Sequence, residues 1–144
     1  MVFFSGSFNP FTVGHADIVR RAVERFGDVT IGIGINIRKP GDEADAGERR
    51  KKIALLYDNN PHISVITYMG LTADAARQAG CTAIVRGIRS VKDFEYEREM
   101  ADINRRINGI DTVLFFADPQ LACVSSSMVR ELAAFGHDVS RYLP

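Results

Sequence analysis

Cysteine is scarce. Cys81 and Cys123 are the only two among 144 residues, and they show no pairing pattern, which excludes a small disulfide scaffold and fits a reducing, cytoplasmic setting with two ordinary core thiols. An excess of one charge is missing too, because 18 basic side chains are balanced by 18 acidic ones. A general nucleic-acid coat is therefore not expected, and any anion site must be local. No apolar run approaches the ~20 residues that span a bilayer, and the start has no basic stretch like that of a signal peptide, so a soluble chain without a membrane partner is expected.

Several chemistries are missing as well. His15, His62 and His137 are scattered and the cysteines lie far apart, so no protein-bound metal is expected. There is no Gly-x-x-x-x-Gly-Lys-Ser/Thr loop, and Gly32-Ile33-Gly34 lacks the third glycine of a dinucleotide fingerprint. No serine sits in a Gly-x-Ser-x-Gly elbow. The first apolar run ends in Ser5-Gly6 without an acidic pair, which argues against a phospho-accepting receiver. The absence of any Gly-x-x-Gly argues against a five-stranded ATP-binding regulatory module.

What is present is an alternation of two hydrophobic periods along the whole chain, the pattern of a parallel sheet with crossover helices. Strands are expected at Val2 to Ser5, Val29 to Ile35, Ile63 to Tyr68, Thr82 to Val85 and Thr112 to Phe116. The helices between and after them are expected near His15 to Phe26, Glu48 to Tyr57, Thr72 to Ala79, Val91 to Ile107 and Ser126 to Phe135. Val91, Phe94, Met100, Ile103 and Ile107 read as the inner face of the fourth helix. Asn36 to Gly47 reads as a long loop, and Arg49-Arg50-Lys51-Lys52 as a solvated helix face. The expected fold is one α/β domain over residues 1–144: a Rossmann-like, doubly wound five-stranded parallel sheet with helices on both faces. Its ligand site should lie beyond the carboxyl ends of the strands, where the strand order reverses.

Three of the loops at that end carry chemistry. Gly6 to His15 brings small and hydroxyl residues to a helix start, where free N–H groups and the dipole suit phosphate. A lone histidine is more often a cap or a packing residue, but the Gly14-His15 pair sits at the expected switch point and can donate to a phosphate in a transition state. Arg86-Gly87-Ile88-Arg89 places two guanidinium forks around a glycine, matched to phosphate oxygens. Ser125-Ser126-Ser127 offers three hydroxyls where an N-cap needs one.

These residues resemble the nucleotidylyltransferase superfamily, whose Thr/His-x-Gly-His motif is matched by Thr12-Val13-Gly14-His15 and whose serine-rich helix start is matched by Ser125-Ser126-Ser127. Within it the chain looks like the phosphopantetheine adenylyltransferases, because Gly6-Ser7-Phe8-Asn9-Pro10, Val85-Arg86-Gly87-Ile88-Arg89 and Asp93-Phe94-Glu95-Tyr96-Glu97 follow that family's order and spacing. The resemblance implies transfer of AMP from ATP to 4′-phosphopantetheine, with His15, Lys39 and Ser7 at the reacting phosphates. ATP contacts would come from Ser7, Phe8, His15, Gly87, Ile88, Arg89 and Glu97, and from Leu121, Ala122, Cys123, Val124, Ser125, Ser126 and Ser127. Ser7, Lys39, Thr72, Arg86 and Asn104 would bind the acceptor. Mg²⁺ would arrive with ATP, and a homohexamer is implied.

Two departures from the family pattern stand out. Asn9 occupies the usual place of Asp, and residues 40–47 are glycine-rich and acidic where the family has Phe, which leaves Arg38 as an alternative to Lys39. The chain also ends at Pro144, where many members carry a further helix. The rival readings are adenylyl transfer to nicotinamide mononucleotide, cytidylyl transfer to an alcohol phosphate, and a non-catalytic ATP- or CoA-binding relative.

Overall fold

The computed structural model describes all 144 residues. Strands β1 (Val2–Gly6), β2 (Val29–Gly34), β3 (Ile63–Tyr68), β4 (Ala83–Ile88) and β5 (Asp111–Phe116) alternate with helices α1 (Val13–Phe26), α2 (Asp42–Leu56), α3 (Thr72–Gln78) and α4 (Val91–Asn108). Helix α5 (Ser126–Ala134) and a 3₁₀ turn at Ser140–Tyr142 close the chain. All strand pairs are parallel, in the order β3-β2-β1-β4-β5. The order reverses between β1 and β4, so the doubly wound architecture expected from the sequence is the one observed.

The alternation of side chains along each strand builds two cores. Val2 and Phe4 of β1, Val29, Ile31 and Ile33 of β2 and Val85 of β4 pack against Ile18, Val19 and Ala22 of α1 and Ala46 and Ile53 of α2. On the opposite face Phe3 and Ile84 pack against Ala73, Ala75 and Ala76 of α3. The bare face of β2 accommodates an aromatic ring: a Cβ on Gly32 would stand 2.1 Å from Cζ of Phe3. That glycine therefore serves the close packing of a core ring.

Four expectations are corrected. Helix α2 starts at Asp42 and not Glu48, because Asp42, Glu43 and Asp45 in its first turn complement the helix dipole and Gly47 is accommodated within the helix. Arg49 is accordingly not on a solvated face, its side chain being only 12% exposed. Strand β4 runs on to Ile88, so Arg86 and Gly87 lie on the strand itself. Helix α4 turns Glu97 and Asn104 inward and leaves Val91, Phe94, Ile103 and Ile107 exposed. The reason is that a cavity separates part of α4 from the sheet, so Glu97 and Asn104 face inward; of the expected inner face only Met100 lines that cavity. A smaller correction concerns the thiols: Cys81 is buried, but Cys123 is exposed, and both are free.

Candidate active site

Strands β1 and β4 pair only through Val2–Phe4 and Ala83–Val85. Beyond Phe4 and Val85 they part, and a side chain occupies the gap. One terminal nitrogen of Arg86 donates to the Ser5 carbonyl, while Nε donates to both oxygens of Glu97 at 3.0 and 2.9 Å and the other terminal nitrogen donates at 2.7 Å. A guanidinium has five N–H groups; Nη1 also approaches Ser5 Oγ at 3.4 Å, which leaves one N–H, on the terminal nitrogen that meets Glu97, without a protein acceptor. Glu97 is buried, and both of its oxygens are committed to this fork.

Two cavities, of about 410 and 350 Å³, share the wall made by Ser5, Gly6, Ser7, Arg86, Tyr96 and Glu97. The first lies between the sheet and α4, with Asn36, Tyr68, Thr72, Asn104 and Thr112 on its sides. Its polar groups are ordered: the hydroxyls of Tyr68 and Thr72 lie 2.8 Å apart. Thr112 Oγ1 is the one buried side-chain polar atom of the protein without a partner.

The second cavity is bounded by two helix starts. Ser125 caps α5, its Oγ accepting from the Met128 N–H at 3.0 Å, and Ser126 Oγ donates to the Pro10 carbonyl at 2.7 Å. Thr12 caps α1, and the start of α1 lies against the segment before α5, a Cβ on Gly14 being 3.7 Å from the Val124 carbonyl, an ordinary contact. The first amides of both helices have no intrahelical acceptor, an arrangement suited to an anion.

His15 stands at this junction in a defined protonation state. Its Nδ1 accepts from the Thr12 backbone N–H at 2.9 Å, which leaves the proton of the neutral ring on Nε2. Phe11 stacks on the ring at 5.4 Å and Phe8 meets it edge-on at 5.0 Å. Burial, and then the charges of Arg86 and Arg89, hold its pKa down at about 4. Phe8 adopts φ +50°, a left-handed conformation that bulky residues rarely take, and the burial of its ring against Phe4, Phe11 and His15 offsets the strain. Together these groups form a donor-rich pocket: a neutral imidazole N–H, two helix starts and two arginines around a cavity of about 350 Å³.

Residues 3–132 match the cytidylyltransferase-like family model. A phosphopantetheine adenylyltransferase from Porphyromonas gingivalis (strain ATCC 33277) is 56% identical over 98% of this chain and 92% of its own. Relatives of the same name from Bacteroides thetaiotaomicron and Corynebacterium diphtheriae are 48% and 38% identical, over 98% and 96% of this chain and 93% and 87% of theirs. The chain belongs to the phosphopantetheine adenylyltransferase family.

In this adenylyltransferase the second cavity gathers Ser7, Phe8, His15, Gly87, Arg89, Glu97, Leu121, Val124, Ser125, Ser126 and Ser127. The first gathers Ser7, Thr72, Arg86 and Asn104. Ile88, Ala122 and Cys123 line neither, and Lys39 stands on the exposed turn between β2 and α2, outside both walls. Sequence reasoning did not name Tyr68, Tyr96 or Thr112 as site residues; Tyr68 and Thr112 carry no motif, whereas Tyr96 lies within the Asp93-Phe94-Glu95-Tyr96-Glu97 segment. It also dismissed Arg49, whose Nε donates to the Ser7 carbonyl at 2.9 Å. Starting the helix at Asp42 would have revealed that pairing, because Asp42 and Arg49 are two turns apart on one helix face.

Proposed function

We propose that this adenylyltransferase moves AMP from ATP to 4′-phosphopantetheine, forming dephospho-CoA and pyrophosphate by in-line attack without a covalent intermediate. The observation that carries the reading is the pair of cavities with one shared wall: a donor-rich pocket at two helix starts, opening beside a longer cleft under α4. ATP fits the second cavity, at the helix starts, and the acceptor's arm fits the first, under α4. The acceptor's phosphate is largely dianionic at neutral pH, with a second pKa of about 6, so no general base is required. Positioning and charge stabilisation then carry the reaction.

In this reading the Arg86 guanidinium holds the acceptor's phosphate against the α-phosphate of ATP. His15 Nε2–H donates to the α-phosphate as charge builds on it, and the starts of α1 and α5 hold the rest of the triphosphate. Ser7 reaches both substrates from the shared wall, and Lys39 approaches over the turn that carries it. Asp93 and Glu97, the carboxylates at the second cavity, are engaged by Arg89 and Arg86, and no group of three or more His, Cys, Asp and Glu residues is arranged to hold a metal ion. Mg²⁺ enters this reading as part of the nucleotide substrate.

A homo-oligomer, a hexamer by family resemblance, belongs to the same reading, and the exposed apolar face of α4 supports self-association. So does a cytoplasmic setting, which two free thiols suit; no helix is long and apolar enough to cross a membrane. The test is pyrophosphate release from MgATP with and without 4′-phosphopantetheine, with nicotinamide mononucleotide as a competing acceptor and CTP as a competing donor. Release that requires ATP and 4′-phosphopantetheine, with dephospho-CoA found by mass, is expected. Release with another pair, or none from folded protein, would overturn the reading.

A further inference from the structure

We propose that Arg49 is a positioning residue that locks the loop after β1 to the loop after β2, fixing Ser7 and the base of the Lys39 turn relative to each other. The proposal rests on the reading of the two cavities as substrate sites. Arg49 lies on α2 and lines neither cavity, yet it touches both loops that do. Its Nε donates to the Ser7 carbonyl at 2.9 Å, and a terminal nitrogen lies 3.5 Å from Oδ1 of Asp42. The other Asp42 oxygen accepts from the Asn36 backbone N–H at 2.7 Å. Asn36 is the last residue of the first cavity's wall before the turn, and Asp42 is the first residue of α2.

The turn carrying Lys39 is thus pinned at both ends by one carboxylate. Within it the Lys39 amide donates to the Asn36 carbonyl at 3.1 Å and the Asp42 amide to the Lys39 carbonyl at 3.2 Å. One planar guanidinium ties that closed turn to Ser7. The Arg49 and Asp42 side chains are only 12% and 7% exposed, and a desolvated ion pair contributes little net stability compared with an apolar replacement. What the pair supplies here is geometry, because it connects two loops that no backbone hydrogen bond joins. The Arg fork serves both acceptors at once; a lysine ammonium, a point charge on a flexible stem, holds them less rigidly.

The experiment compares Arg49→Ala, Arg49→Lys and Asp42→Asn with the parental protein. It measures kcat and KM for each substrate, thermal unfolding, and amide exchange of residues 36–41 without substrates. Arg49→Ala is expected to lower kcat by about 10²-fold per folded molecule, the scale of an ångström-sized misplacement of reacting groups, and to speed exchange in the turn. Arg49→Lys should fall between parental and Ala. If Arg49→Ala does not fold, Asp42→Asn decides the matter, since its amide oxygen still accepts from Asn36 while the charge on Arg49 loses its partner. A folded variant with kcat within about twofold of parental, or a loss that only tracks the unfolded fraction, overturns the proposal. A parental protein inert with both substrates would overturn the functional reading instead, and the exchange comparison would still decide whether Arg49 locks the loops.

Discussion

The Thr12 backbone N–H donates to Nδ1 of His15 at 2.9 Å, and this bond selects the imidazole form that faces the second cavity. A ring held as Nε2–H is a donor without being a cation, which suits a phosphate that gains charge during reaction. It also makes stability depend on pH. The folded pKa is about 4 against an ordinary 6.5, so between those values the unfolded chain binds a proton that the folded chain refuses. Stability is therefore complete above about 6.5 and falls as pH drops towards 4, by up to about 3 kcal/mol. Denaturant titrations between pH 7 and 4.5 should show this slope in the parental protein and lose it in His15→Asn. Equal slopes would remove His15 as the cause.

His15→Ala should lower kcat by about 10²- to 10³-fold, the scale of removing one oxyanion donor, and leave ATP affinity almost unchanged. Single-turnover rates and equilibrium binding of ATP separate the two quantities. An equal loss in both would mean that the ring binds the ground state as tightly as the transition state.

Arg86 and Glu97 are predicted to separate stability from acceptor use. Arg86→Ala leaves the buried Glu97 carboxylate without its partner, a change that typically costs about 3–5 kcal/mol. It should also raise KM for 4′-phosphopantetheine far more than KM for ATP. Adding Glu97→Ala should recover much of the stability without recovering use of the acceptor. An ATP-specific defect in Arg86→Ala would reverse the assignment of the two cavities.

The βα alternation was legible because strand and helix periods differ and buried parallel strands read as apolar runs. The loops at the switch point were legible because glycine, hydroxyl and arginine residues cluster there. Helix α4 was misread for a physical reason: Glu97 and Asn104 face a cavity, so the apolar period of Val91, Phe94, Ile103 and Ile107 points away from the sheet. Gly47 was read as a loop residue, but it sits inside α2, where a glycine costs about 1 kcal/mol relative to alanine. That single error hid the pairing of Asp42 with Arg49. Tyr68 and Thr112 reach the first cavity through tertiary packing, and no local pattern announces them.

Gly32 should be intolerant of even one methyl group. An alanine Cβ there would overlap the ring of the fully buried Phe3, with Cζ at 2.1 Å and Cε1 at 2.7 Å. Neither the ring nor the strand has room to yield, so Gly32→Ala is expected to cost about 1–3 kcal/mol or more. Phe3→Leu in the same chain should be less damaging than the sum of the two single changes. Denaturation midpoints of the four proteins form the cycle, and strict additivity would mean that the two sites do not collide.

An exposed apolar flank of α4 gives the last prediction. Tyr96, Met100, Ile103 and Ile107 recur at spacings of four, three and four residues, so they form one stripe along the helix, with Tyr96 and Met100 bordering the cavities. All but the half-buried Met100 are exposed. Helix α4 already has its inner contacts, since Glu97 holds Arg86 and Asn108 donates to the Ala73 carbonyl at 2.8 Å. The exposed Ile103 and Ile107 end of the stripe has no apolar partner in the single chain, and exposed apolar surface of this kind favours association. Because Ile103 lines neither cavity, a charge placed there tests assembly without touching the substrate sites. Ile103→Glu should shift sedimentation from a larger species towards the monomer while leaving the unfolding midpoint of the isolated chain nearly unchanged. If the parental chain sediments as a monomer at micromolar concentration, or if Ile103→Glu assembles as the parent does, α4 is not the contact between copies.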